Sequence, residues 1–306
     1  MNTVRTIVRA VRDSPVAGAA RPMYRRLRTQ YLRWRYPKGA YLATTGIPVY
    51  CDFNDASYVW YDAASDYLAF QNDIVDALVE RAAGNVFIDV GAHFGYYTAR
   101  MAIAAAHRHP TFRVIALEAD ASNYRCLQRT MAAYRGNGHI ELIEAAAGDR
   151  IGTRTLFRTT ASCTHTYADA GAAPVGEARE VTIDTLTAGF GSGERTAVIK
   201  IDVDGAEPVV LAGARETIAR DQPLLLVEFS PVLLSSAGFS PQALFAEWTE
   251  RFTAYRIDDA RQRIVAVRPP DYDTIAKEIG AGIVDLILCP EPIDWTMPTS
   301  GKPGRR

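Results

Sequence analysis

Asn85 to Thr98 reads NVFIDVGAHFGYYT, and the order of its residue types decides the fold. Val86, Phe87, Ile88 and Val90 form a short β-branched and aromatic run, the composition of a strand buried on both faces, with Asp89 near its end. Gly91 and Gly95 then bracket a tight turn, and a helix is expected to begin near Tyr96. Such a strand, turn and helix start aim backbone N–H groups and the positive end of a helix dipole at whatever lies over the loop. The stretch reads as a small-molecule cradle in an α/β sheet.

The glycine spacing bears on the ligand. Dinucleotide folds use G-x-G-x-x-G, where the pyrophosphate approaches the backbone closely. Here the pattern is D-x-G-x-x-x-G, without the middle glycine. A carboxylate at the strand end repels phosphate but can orient an ammonium, directly or through water. That favours S-adenosylmethionine, whose methionyl part carries ammonium and carboxylate. Asp89, Gly91, Ala92, Gly95, Tyr97 and Thr98 are the expected contacts in this loop. By itself the fragment also fits an ordinary βα turn of another α/β protein.

Downstream, Arg113 to Leu117 is a second strand ending in Glu118, an acid about 20 residues past the loop that can accept both ribose hydroxyls. Ser122 can cap a helix running to about Tyr134, and Ile140 to Ile143 is a third strand leading to Ala147-Gly148-Asp149. Gly148 and Asp149 either border the adenine or form a plain turn. Arg150 to Thr196 reads as an insertion, with strands at Thr153 to Phe157 and Arg179 to Ile183. The loop between them, around Ser162 to Gly176 and including His165, is a candidate acceptor-site lid.

Thr196 to Glu207, TAVIKIDVDGAE, is the next buried strand, with a charge at Lys200 and with Asp202 and Asp204 at its exit. In a doubly wound sheet this exit borders the switch-point crevice, beside the donor, where an acceptor would sit. A helix is expected over Glu207 to Ala219, then strand five at Pro223 to Phe229 with Glu228 near its end. Ser240-Pro241 opens a helix to about Arg251. Phe252 to Ile257 and Ile283 to Leu288 are the last two strands, with a further one suggested at Ile264 to Val267.

Four stretches together resemble the FkbM family of S-adenosylmethionine-dependent methyltransferases: FIDVGAHFGYYT at Phe87 to Thr98, VIALEAD at Val114 to Asp120, VTIDTL at Val181 to Leu186, and IKIDVDGAE at Ile199 to Glu207. His93 and Asp204 stand where that family often has asparagine and glutamate. The resemblance implies a class I methyltransferase fold, a Rossmann-like, doubly wound α/β sheet of seven mostly parallel strands with the last reversed. It also implies O-methylation of a sugar, lipid-linked glycan or polyketide hydroxyl. A neutral alcohol needs a base as the new bond forms. Asp202 is the first choice for base or acceptor orientation, followed by Asp204, Glu228 and His93. Asp202 with Asp204 superficially resembles a metal pair, but no third oxygen ligand is apparent, so no metal is expected. An N-P-P-[YF] sequence is absent, which argues against methylation of nucleic-acid bases.

The chain of 306 residues suits one large domain with an extension, and a hydrophobic content of 48% supports a real core. The boundaries read as an extension over 1–53, the methyltransferase domain over 54–298 and a disordered tail over 299–306. Cys51, Cys126, Cys163 and Cys289 form no C-x-x-C pair, so reduced thiols and a cytoplasmic location are expected. No apolar run marks a membrane span or secretory signal. Met1 to Lys38 carries a charge of +9 in a chain of net −1. Val4, Ile7, Val8 and Val11, and later Leu27, Tyr31 and Trp34, fall at helical spacing among arginines. These stripes are expected to pack on the chain's own surface, ahead of docking on an anionic membrane or a partner. A Thr45-Gly46 turn suggests a β-hairpin between Tyr41 and Phe53. A noncatalytic donor-binding partner or membrane-associated assembly factor is the competing functional class.

Overall fold

In a computed structural model the described residues are 27–43, 46–54, 65–109, 111–134, 138–158, 165–166 and 174–295. The expected hairpin forms: Ala40–Ala43 (β1) pairs antiparallel with Pro48–Cys51 (β2). Helix Ser65–Arg81 (α1) leads into Val86–Val90 (β3), whose five residues are all buried. Tyr96–Arg108 (α2), Arg113–Glu118 (β4), Ala121–Ala132 (α3) and His139–Glu144 (β5) follow. A small second sheet comprises Ala146–Ala147 (β6), Gly152–Arg158 (β7), His165–Thr166 (β8) and Pro174–Val181 (β9). Ile183–Thr187 (α4) then returns the chain to Thr196–Ile201 (β10). The remainder is Glu207–Ala212 (α5), Arg215–Asp221 (α6), Leu224–Phe229 (β11), Pro231–Ser236 (α7), Pro241–Arg251 (α8), Thr253–Asp258 (β12), Arg263–Val267 (β13), Tyr272–Ile279 (α9) and Val284–Cys289 (β14).

The main sheet has the order β13-β12-β14-β11-β10-β3-β4-β5. β3, β4, β5, β10 and β11 are mutually parallel, and β14 runs against both β11 and β12. This is the doubly wound arrangement expected, with the reversed strand inserted beside β11. The suggested extra strand is real, so the sheet has eight strands, β13 lying antiparallel on the outer edge of β12. The chain leaves β3 in one direction through β4 and β5 and in the other through β10 and β11. The switch point is therefore the cleft above the ends of β3 and β10.

Alternation sorts the side chains onto two faces. Val86, Ile88, Ile199, Ile201, Leu225, Val227, Leu286 and Leu288 face a core shared with α5, α6, α8 and α9. Phe87, Val198, Leu226 and Ile287 face the core built with α1 and α2. Asp89, Lys200, Glu228 and Asp285 continue that second face toward the strand ends.

Several local expectations are corrected. Asp120, rather than Ser122, caps α3: its Oδ1 accepts the N–H of Ser122 and of Asn123, both at 2.9 Å. The helix expected over Glu207 to Ala219 breaks into α5 and α6 at Gly213, where a Cβ would stand 1.8 Å from Gly148 O. Asp184 helps restart it, accepting from the N–H groups of Glu216 at 3.0 Å and Thr217 at 2.7 Å. Residues Thr182 and Ile183 leave the sheet because the Thr182 side chain caps α4 through the Thr185 N–H at 3.0 Å. His165, read as a loop residue, pairs with Arg158 across β8 and β7. Most of the candidate lid loop, the 299–306 tail and the Val4 to Val11 stripe lie outside the described residues.

The extension departs most. Residues 27–35 are helical, and Leu32 is buried in a cluster with Val49, Phe53 and Phe94. Arg33 ties the helix down through Nε to Phe53 O at 2.8 Å. Leu27, Tyr31 and Trp34 do not pack inward: they are 58%, 56% and 76% exposed. The hairpin itself docks on α3, with the Tyr50 N–H donating to Thr130 Oγ1 at 2.9 Å.

Candidate active site

The donor loop is shaped by two steric demands. Gly91 has φ +76°, and a Cβ there would fall 1.9 Å from Asp202 O, so the loop lies directly against the exit of β10. Gly95 has φ +91°, and a Cβ would press to 2.7 Å from Leu127 Cδ1. Both positions require glycine for conformation and space. The loop's N–H groups do not face outward as expected. Gly91 and Ala92 donate to Leu117 O at 3.0 and 2.9 Å, Gly95 to Ala92 O at 2.8 Å, and His93 to Glu118 Oε2 at 2.8 Å. Four amides already satisfied in this way leave little for a pyrophosphate and fit a ligand held by other means.

Glu118 joins the loop to the next helix. Its Oε2 takes the His93 N–H and its Oε1 the Asp120 N–H, the latter also at 2.8 Å. Burial pushes its carboxyl up and these two backbone bonds pull it back, leaving it at about 7. The carboxyl is buried at the end of β4, with both oxygens accepting backbone N–H groups. Asp89 is wholly covered: Thr98 Oγ1 donates to its Oδ2 at 2.5 Å, and Lys200 Nζ lies 3.5 Å from Oδ1. A direct ammonium contact to Asp89 therefore has no open path, and Thr98 is spent on holding it. Tyr97 lies under the Lys200 ammonium, which is 4.7 Å from its ring centroid.

Gly148 has a packing cause: a Cβ would meet the buried Glu180 carboxylate at 1.9 Å. Its N–H donates to Val181 O at 2.9 Å, which makes Gly148-Asp149 a tightly held turn. Ala145 donates to Glu118 O at 3.1 Å, so the chain leaving β5 toward this turn is held against the end of β4.

On the other side of the cleft the register groups the charges. Lys200 is paired with Asp89 across β10 and β3, and Glu228 with Asp285 across β11 and β14. Lys200 Nζ is 3.1 Å from Asp202 Oδ2, and the Asp202 side chain keeps 37% of its surface open. Burial opposes the ammonium, but Asp202 and Asp89 outweigh it and the pKa of Lys200 is raised. Glu228 is buried, its Oε2 has no hydrogen-bond partner, and its carboxyl is pushed well up by burial and then by Asp202, Asp204, Glu207 and Asp285. Asp285 is raised to about 7 by burial and by Asp202 and Asp259, with Lys200 and a Gln71 bond opposing. Gln71 Nε2 donates to Asp285 Oδ2 at 3.2 Å and to Asp259 Oδ1 at 3.1 Å.

Asp204 has φ +55° in the turn after β10. Glu207 clamps that turn, its Oε1 accepting from the N–H groups of Val203 and Gly205, each at 3.1 Å. Burial holds the Glu207 carboxyl at about 7. His93 belongs to the donor loop, with φ +50°, and its ring stacks on Phe94 at 3.8 Å. The structure thus brings Asp202, Asp204 and Glu228 together and ties His93 to Glu118. Lys200, Glu207, Asp285 and Gln71 carry no expectation from the sequence as site residues. The signal for Lys200 was there, since a lysine two residues before Asp202 in a buried strand must share its face. Among the described residues no group of three or more His, Cys, Asp or Glu is arranged to hold a metal ion.

A doubly wound sheet with a glycine loop and a buried acid at the ends of β3 and β4, and carboxylates at the exits of β10 and β11, defines a class I methyltransferase. The sequence model of the methyltransferase FkbM domain matches residues 89–263, more than half of the chain, and the protein belongs to that family. The methyl donor of the family is S-adenosylmethionine. The residues present suit it: a glycine cradle without spare amides for phosphate, and Glu118 for a ribose.

Among solved structures, the methyltransferase FkbM from Methylobacillus flagellatus KT is 18% identical over 67% of this chain and 43% of its own, with a TM-score of 0.41. This chain therefore spans less than half the length of that relative. An O-methyltransferase from Bacillus cereus in complex with SAH is 13% identical over 71% of this chain and 80% of its own, TM-score 0.39. The O-methyltransferase TomG from Streptomyces achromogenes, in complex with SAM, is 14% identical over 72% and 80%, TM-score 0.42. Likeness at this level has no bearing on chemistry. No curated protein sequence matches.

Proposed function

We propose that the protein is an O-methyltransferase that moves a methyl group from S-adenosylmethionine to a hydroxyl of a small molecule, sugar or glycan, lipid or polyketide. Bound S-adenosylmethionine supplies an electrophilic methyl group on a sulfonium. Glu118 accepts the ribose hydroxyls, and the Gly91 to Gly95 loop shapes the wall beside them. Asp202, oriented by Lys200, receives the acceptor hydroxyl as a hydrogen-bond partner. Asp202 is also the first choice to take the hydroxyl proton, and Glu228, whose surroundings favour the protonated carboxyl, is the next carboxyl along the wall. Asp204 shapes the same wall, and His93 serves the donor loop. Alignment of acceptor and donor is the main source of rate in an in-line displacement.

The observation that carries this reading is the buried Glu228 carboxyl, unpartnered at Oε2, on the strand next to Asp202. The test is incubation of the protein with labelled S-adenosylmethionine and fractionated glycan, lipid and small-molecule extracts, followed by mass spectrometry. A labelled methyl ether supports the reading. Donor binding without methylation of any fraction favours the noncatalytic alternative.

A further inference from the structure

We infer that the helix over residues 27–35 is a docking surface for an anionic lipid bilayer. Leu27, Tyr31 and Trp34 recur at helical spacing and stand 58%, 56% and 76% exposed, while Leu32 on the opposite side roots the helix in the protein. Tyr31 and Trp34 lie side by side, with ring centroids 6.2 Å apart. A leucine beside a tyrosine and a tryptophan is the composition that settles at the boundary between headgroups and acyl chains. Tyr36 and Tyr41, 39% and 48% exposed, extend the same part of the chain.

Charge selects the occupant. From Arg25 to Lys38 the sequence has five arginines, one lysine and no acidic residue. The chain beyond Lys38 carries −10, so an anionic surface is attracted at this end and repelled elsewhere. A second copy meeting this end with its own extension would bring two basic surfaces together. No helix among the described residues is long and apolar enough to cross a membrane, so attachment here would be from one side. The inference does not depend on the identity of the acceptor.

The test is co-sedimentation of the full chain with phosphatidylcholine vesicles, with and without phosphatidylglycerol, for the wild type and for L27S/Y31S/W34S. The three side chains are exposed, so the variant should melt like the wild type. The wild type should bind only the phosphatidylglycerol vesicles and be released by salt. The variant should bind about tenfold less or worse, from lost apolar burial. Equal binding by both proteins would overturn the inference, as would no binding by the wild type. Concentration-dependent dimers that the variant abolishes, without vesicle binding, would assign the stripe to a second copy instead.

Discussion

Replacing Glu118 by glutamine separates its two duties. Hydrogen bonds from the ribose hydroxyls to a charged acceptor contribute about 1.5–3 kcal/mol each, and the amide keeps one acceptor oxygen. One such bond lost weakens S-adenosylhomocysteine binding by roughly 10- to 150-fold. The wild-type carboxyl, at about 7, must be ionised to accept both hydroxyls, so affinity should rise with pH. From pH 8 down to 6 the ionised fraction falls from about nine-tenths to about one-tenth, a drop of about tenfold in affinity. Glu118→Gln should abolish that slope. The fold responds too, because the amide N–H₂ must face either the His93 or the Asp120 N–H, leaving a buried donor unmet at about 1–3 kcal/mol. In the wild type the raised carboxyl makes its stabilising contribution below pH ~4.5, and this is lost as pH rises through about 7. The variant's deficit in melting temperature should therefore shrink at high pH. Calorimetry and thermal melts across pH 5–9 report both effects, the range chosen to bracket about one to two units around the transition. An unchanged affinity at pH 8, in a folded variant, would refute the ribose assignment.

Asp202→Asn should leave S-adenosylhomocysteine binding intact and lower turnover on the identified acceptor, by 10²–10⁴-fold (roughly) if Asp202 is the base and by less if it only orients. Glu228→Gln should also lower turnover. Because the Glu228 carboxyl is raised, its favourable contribution to stability fades as pH climbs, so this variant should melt higher than the wild type at alkaline pH and about equally in acid. Lys200→Met leaves Asp89 buried without its cation and should cost about 3–5 kcal/mol in denaturant unfolding. Gly91→Ala must adopt φ +76° and clear Asp202 O, so donor binding should be lost along with about 2 kcal/mol or more of stability.

The parts of the fold legible in the sequence were those with a strong local cause. β3, β4, β10 and β11 are largely apolar runs carrying one or two charges each, and Gly91 and Gly95 punctuate the turn they were expected to make. What the sequence hid depends on distant partners. At Gly213, where the helix breaks, a side chain would strike Gly148 O, far away in the chain. The role of Glu118 in fixing His93 requires the ends of two strands to meet. Asp285 reads as one charge in VDLILC until antiparallel pairing brings it opposite Glu228. The stripe of Leu27, Tyr31 and Trp34 was legible as a pattern, but periodicity cannot say whether a stripe turns inward or outward.

The eighth strand has a consequence for solubility. Without β13, the outermost strand of the sheet would be Thr253–Asp258, whose Ala254, Tyr255 and Ile257 would offer another chain an open ladder of backbone groups. β13 closes that ladder and puts its own edge outward, with Arg263 held to Asp258 at 3.1 Å and Arg268, Pro269 and Pro270 directly after it. Proline cannot extend a ladder, and charge discourages the approach of another strand. The opposite edge, β5, carries His139, Glu141 and Glu144. Both rims of the sheet are therefore guarded against strand-to-strand aggregation, and a chain cut before Arg263 would lose one of the two guards.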